Sequence, residues 1–288
     1  METAFAEMPL ALFSTLAPLG AGAFTALAVA FLTTSFEADS LKKIDRMTAL
    51  PVAVVIIGFI AAFFHLASPL NAFGVLAGVG TSPLSNEILV GCVFCVLMLV
   101  YWVAALAGKL SAGARKGLVV AVALVGLVFA VFTGMAYLMD TIASWNTPAV
   151  PAQMLGYSLA GGMALGVLVL GAAGCGAELA ARPLKTAVAA LALAGAVIGL
   201  AAFALQVSAV GALSTPLYAG SDLVADVMGV IVAGAVALVL AVVCTLLALR
   251  GKSAAATAGV AAVLAIAGVL CLRLAFYGMQ LSVGLSVL

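Results

Sequence analysis

Most of this sequence consists of apolar stretches long enough to cross a bilayer, and its few charges fall almost entirely between them. A transmembrane helix needs ~20 largely apolar residues. Eight stretches meet that requirement, at about Leu10 to Thr33, Met47 to Leu66, Ser85 to Ala107, Gly117 to Met139, Met154 to Gly174, Leu184 to Val207, Asp226 to Leu249 and Ala254 to Leu281. A membrane β-barrel would instead show ~10-residue segments of alternating polarity, and these runs are continuous. With 67% hydrophobic and 7% charged residues and a mean hydropathy of +1.38, a soluble globule is excluded. The expected fold is all-α: a polytopic integral membrane protein of eight transmembrane helices in a single membrane domain, residues 1–288. The opening METAFAEMPL has no basic residue ahead of the first run. It therefore lacks the positive region of a cleaved signal peptide, and the first helix is expected to remain.

The basic residues orient the eight spans. Lys42, Lys43 and Arg46 follow the first run, and Lys109, Arg115 and Lys116 the third. Arg182 and Lys185 follow the fifth, and Arg250 and Lys252 the seventh. All ten fall on one side, which the positive-inside rule assigns to the cytoplasm, so both termini are expected outside. The opposite loops carry Asp140 and Asp222 and no Lys or Arg. Tyr137, Trp145, Tyr157, Tyr218 and Tyr277 also fall near that end, where interfacial anchoring accounts for them. The stretches SFEADSLKKIDR and KLSAGARK read as polar loops on the basic side. Glycine and alanine recur in the first and fifth runs, at Gly20, Gly22, Gly161, Gly162 and Gly166, which suits close helix packing in lipid. No internal sequence repeat stands out.

Ionisable residues near the ends of apolar runs are the candidate site. The only histidine, His65, closes the second run, and Glu87 opens the third. Intramembrane ionisable groups are costly and point to function. Taken singly, each also has a structural reading: an interface histidine, and a carboxylate at a helix N-terminus entered through Ser85 and Asn86. Arg273, the eleventh basic residue, lies inside the eighth run, ~30 Å from its basic end at ~1.5 Å per residue. It is either a snorkelling anchor or a bundle-facing partner of Glu87. Cys92 and Cys95 have CxxC spacing mid-run without further ligands, and are expected to be small core residues rather than a metal or redox motif.

The same inventory limits the chemistry. One histidine cannot provide bis-histidine haem ligation, and no group of four thiolates exists for an iron–sulfur cluster. No GxxxxGK[ST] motif supports ATP hydrolysis. No metal site and no nucleic-acid partner are expected. A lipid-soluble quinol remains well suited, because its oxidation releases two electrons and two protons. Histidine can hydrogen-bond a ring oxygen, and a carboxylate near the aqueous boundary can pass a proton on. A transporter or channel would put its ionisable groups near the midplane, and a purely structural anchor would need neither group.

The segments His65-Leu66-Ala67-Ser68-Pro69-Leu70-Asn71-Ala72-Phe73, Leu84-Ser85-Asn86-Glu87-Ile88, Phe276-Tyr277-Gly278 and Glu7-Met8-Pro9-Leu10 resemble the DmsC family, the membrane anchor subunits of anaerobic dimethyl sulfoxide reductases. The resemblance covers the whole length. It implies a subunit of the bacterial cytoplasmic membrane that oxidises menaquinol and passes electrons to an iron–sulfur subunit. That subunit in turn feeds a molybdopterin catalytic subunit, both docked on the extracytoplasmic face, so the terminal reduction lies outside this chain. It also implies roles for His65 and Glu87 in quinol oxidation, and a cofactor-binding set of His65, Glu87, Arg273, Ser68 and Asn71. Gln280 stands where family members often have a histidine after the FYG turn, which argues against proton handling by the C-terminal segment.

Overall fold

A computed structural model describes residues 5–64, 69–215 and 219–282. Its eight spans are Met8–Thr33, Ala38–Phe64, Pro83–Leu106, Ala112–Met135, Ala149–Ala172, Arg182–Gly211, Gly220–Ala248 and Ala254–Gly278. No β-strand occurs among the described residues, only isolated bridges joining Ile142 to Ser282 and Ser214 to Ala219. In hydrocarbon every backbone polar group must be satisfied within the chain, and helices do this segment by segment.

The spans form two layers. The most apolar windows of the first and fifth spans are each 83% buried, against 28–44% for the others, so these two are the axis around which six helices stand. Their sequences explain the position, because backbones approach closely where side chains are absent. A Cβ on Gly22 would stand 1.8 Å from the Ser158 carbonyl oxygen, and one on Gly162 would stand 2.3 Å from the Gly22 carbonyl carbon. The Ser158 hydroxyl donates to the Pro18 carbonyl at 2.7 Å. Pro18 leaves no N–H of its own within that helix. The outer helices turn bulky aliphatics such as Val96, Val197, Leu205 and Val263 to the lipid-facing surface.

An arrangement that the sequence does not display emerges here. In the first half the first span packs on the second and fourth, and the third on the fourth. In the second half the fifth packs on the sixth and eighth, and the seventh on the eighth. Gly22 meets Gly162, and the Tyr137 and Tyr277 hydroxyls hydrogen-bond to each other, 140 positions apart. Contacts between equivalent residues are what an approximate two-fold axis produces, here a parallel repeat of four-helix halves. Apart from such pairs, equivalent positions carry mostly different side chains, so the relation shows in packing rather than as a sequence repeat.

Several boundaries shift at the basic end. Ala38–Met47 is helical and buries Ile44 and Asp45, so most of SFEADSLKKIDR is the entrance to the second span rather than a loop. Likewise Arg115 and Lys116 lie within Ala112–Met135, capped by Ser111. Arg115 Nη2 donates to Asp45 Oδ2 at 2.9 Å, its guanidinium stands 5.5 Å from the Phe31 ring centroid, and the Trp102 indole donates to the Asp45 carbonyl at 3.0 Å. A residue read as a free loop charge is thus a buried clamp. Cys92 is exposed on the outer surface of the third span, not in the core: it lies one position beyond the inward-facing Gly91.

Candidate functional site

Glu87 owes its place to how the third span begins. Ser82 is the cap, accepting from the Ser85 amide at 3.4 Å, and Pro83 occupies the start of the helix. Glu87 therefore lies past the first turn and does not neutralise exposed amides, which removes the capping role considered for it. Its residue is only 5% exposed, and Oε1 makes no hydrogen bond. The carboxyl lies by the Thr133 hydroxyl and within electrostatic reach of Arg273. Thr133 spends its proton on the Phe129 carbonyl at 3.1 Å, leaving its oxygen free to accept. Asn86 accepts from the Gly80 amide at 2.7 Å, tying the end of the connecting segment to this helix. One turn below Glu87, a Cβ on Gly91 would lie 3.1 Å from both the Phe129 and Phe59 rings, so an aromatic floor closes the site.

Arg273 is fully buried, which overturns the snorkelling reading. The eighth span turns it inward among residues that hold it in one pose. Nε donates to the Ser14 hydroxyl at 2.8 Å, and Nη2 to the Tyr277 hydroxyl at 3.1 Å. Ser14 passes its own proton to the Leu10 carbonyl at 2.7 Å. The guanidinium carbon stands 4.0 Å from the Phe276 ring centroid, 4.7 Å from Tyr137 and 5.0 Å from Tyr277. Such faces attract a desolvated cation by up to ~2 kcal/mol. No ion pair joins Arg273 to Glu87 among the described residues, although the Arg273 charge reaches that carboxyl.

The aromatics expected at the interface supply this cage. Tyr137, Trp145, Tyr157 and Tyr277 are all buried, and Trp145 stacks on Phe276 at 5.2 Å and 16°. Tyr218 lies outside the described residues. So do His65 and Ser68, while Asn71 falls within the 3-10 helix Pro69–Gly78. That helix packs against the start of the third span. Thr133 and Ser14 are not singled out by the sequence, and Tyr137 and Tyr277 are there read only as interfacial anchors. The Tyr137 and Tyr277 positions hinted at a shared end of the bundle, but Ser14 and Thr133 carry no signal beyond being polar in apolar runs.

Fold and site together define a polytopic membrane subunit whose interior holds one acid and one caged guanidinium at a single end. The model of the family described as DMSO reductase anchor subunit (DmsC) matches residues 1–279. The protein is 30% identical over 291 residues to the C chain of the anaerobic dimethyl sulfoxide reductase of Escherichia coli (strain K12), covering 100% of its own length and 99% of that relative. It is 26% identical over 289 residues to the anaerobic dimethyl sulfoxide reductase YnfH chain of the same organism, covering 100% and 99%. The corresponding C chain of Haemophilus influenzae matches at 31% over 170 residues, 59% of this protein and 61% of that one. This protein belongs to the DmsC family of DMSO reductase membrane anchor subunits.

Proposed function

We propose that the protein oxidises menaquinol at Glu87 and His65 and passes the electrons to an iron–sulfur subunit that serves a molybdopterin catalytic subunit. The observation that carries this reading is Glu87: a buried carboxyl with an unpartnered oxygen, in a membrane interior where such a group is otherwise only a cost. Bound menaquinol would supply two electrons and two protons on conversion to menaquinone. The work left to this chain is recognition and proton handling. The free Oε1 of Glu87 can accept a hydrogen bond from a quinol hydroxyl and take its proton. Once protonated, the carboxyl can donate to the Thr133 oxygen. Arg273, held by Ser14 and Tyr277, is a fixed positive charge that would favour the ionised form of that carboxyl against its burial. His65, with Ser68 and Asn71 on the same connecting segment, would meet the other quinol oxygen and take the second proton.

Orientation belongs to the same proposal. The ten basic residues place their loops in the bacterial cytoplasm, so Glu87 and Arg273 lie near the extracytoplasmic surface and the iron–sulfur and catalytic subunits dock there. The test is oxidation of a quinol analogue by membranes carrying Glu87→Gln or His65→Ala, with attachment of the partner subunits followed in parallel. Loss of turnover with the complex intact is expected. Wild-type rates in both variants would end the reading, and loss of assembly in both would favour a purely structural anchor.

A further inference from the structure

Four buried side-chain atoms that make no hydrogen bond belong to Arg273 and to residues linked to it through Tyr157 and Tyr277. They are Arg273 Nη1, Tyr157 Oη, Gln153 Oε1 and Trp145 Nε1, on residues between 0% and 6% exposed. Tyr157 lies within electrostatic reach of Arg273. Gln153 stands one turn before Tyr157 on the same face of the fifth span. Its amide nitrogen is committed to Gln206 Oε1 at 2.7 Å, and Gln206 donates onward to the Ser144 carbonyl at 2.9 Å. Trp145 follows Ser144, with its ring 5.7 Å from that of Tyr277. Each of these four unmet polar atoms would cost about 1–3 kcal/mol if nothing met it.

Their chemistry selects what meets them. Arg273 Nη1 and Trp145 Nε1 can only donate, Gln153 Oε1 can only accept, and the Tyr157 hydroxyl can do either. A cation is repelled by Arg273, and an anion finds no donor at Gln153. An apolar group satisfies none of them. Water both donates and accepts, is small enough for gaps between packed side chains, and settles where two to four polar partners converge. We infer that Arg273 Nη1, Tyr157, Gln153 and Trp145 bind a small internal cluster of ordered water, and that this cluster, rather than a carboxylate, hydrates the buried guanidinium. The adjacent fixed charge repels hydronium, so the cluster solvates Arg273 and does not conduct protons. The inference rests on this geometry and stands whether or not a quinol is the substrate.

Hydroxyl-radical footprinting of the intact complex tests it, because radicals made from bound internal water oxidise the side chains beside it. Tyr157 and Trp145 should be labelled several-fold more than Phe24 and Phe94, which like Tyr157 are fully buried. Gln153→Leu removes the one obligate acceptor and should reduce that labelling several-fold. If the variant does not assemble, the comparison within the wild-type protein decides by itself. Labelling of Tyr157 and Trp145 no higher than that of the two phenylalanines would overturn the inference, and undiminished labelling in Gln153→Leu would overturn the role given to Gln153.

Discussion

The two four-helix halves share one packing plan and divide the chemistry between them. Counting on by the 140 positions that separate Tyr137 from Tyr277, Glu87 corresponds to Val227, which is fully buried and apolar, and His65 corresponds to Leu205. Counting back, Arg273 corresponds to Thr133, so the acid's neighbour and the guanidinium occupy equivalent places. The halves also differ in closure: the sixth and seventh spans pack together more extensively than the second and third, which meet mainly where Gly91 faces Phe59 and Trp102 faces Asp45. The second half is a sealed scaffold. In the first half the 3-10 helix Pro69–Gly78 packs instead against the start of the third span, beside Glu87. A repeated fold supplies rigidity twice, and a site arises where the repetition is broken.

The axis should be the most sensitive feature. Gly162→Val drives a side chain into the Gly22 backbone, with neither helix able to retreat from the middle of the bundle. Loss of folded protein from the membrane is expected. Gly229→Val on the seventh span, where nothing lies within 4 Å of the new Cβ, should accumulate normally. Equal yields of the two variants would show that the halves do not meet as described.

The next effect separates the halves at the basic end. Arg115→Leu leaves Asp45 buried and unpaired, at a cost of about 3–5 kcal/mol, while the Asp45→Leu/Arg115→Leu double variant should recover most of it. The equivalent positions in the second half are Lys185 and Ala255, which offer no such pair. Ala255→Leu should therefore change melting of the purified complex far less than Arg115→Leu. A double variant as unstable as the single one would show that Asp45 and Arg115 do not clamp the basic end.

The eight spans were legible because apolar length is written into the chain one residue at a time. The prominence of Glu87 and Arg273 was legible for the complementary reason, since a charge inside such a run has no cheap explanation. What Arg273 touches was not. Depth along a helix follows from counting residues, but the facing direction depends on neighbours, and in an all-round apolar helix nothing marks the inner side. Tyr137, Trp145 and Tyr277 misled for that reason, since the same aromatic at the same depth anchors to the interface or cages a cation according to rotation. Asp45 and Arg115 were hidden by their polar context, which resembles a solvated loop. The repeat was hidden because Gly22 and Gly162 preserve a contact that needs no longer sequence likeness.

Within the cage, Arg273→Lys keeps the charge and loses the planar fork that reaches Ser14 and Tyr277 together, as well as the stacking on Phe276. The bonds at stake are each worth about 1.5–3 kcal/mol when one partner is charged. The variant should melt earlier and, on the proposed reading, oxidise quinol more slowly. Thr133→Val at the equivalent place removes the acceptor beside Glu87 and one local bond to the Phe129 carbonyl, which the helix also satisfies, so it should slow turnover with little change in melting. Identical behaviour of the two would mean that the halves are not differentiated in the way their residues suggest.

The smallest effect tests the seam itself. Tyr277 accepts from Arg273 and bonds to Tyr137, whereas Tyr137 bonds through its hydroxyl only to Tyr277. Tyr277→Phe therefore breaks two interactions and Tyr137→Phe breaks one. Hydrogen bonds between helices in lipid average about 0.6 kcal/mol, so Tyr137→Phe should cost about that much, and Tyr277→Phe more, because Arg273 loses an acceptor as well. The two costs should not add. Once Tyr277 is phenylalanine, the Tyr137 hydroxyl has no partner left to lose, and the double variant should unfold at nearly the same temperature as Tyr277→Phe alone. Strictly additive costs in that cycle would show that the two hydroxyls do not meet, and would take away the contact that most directly joins the outer ends of the halves.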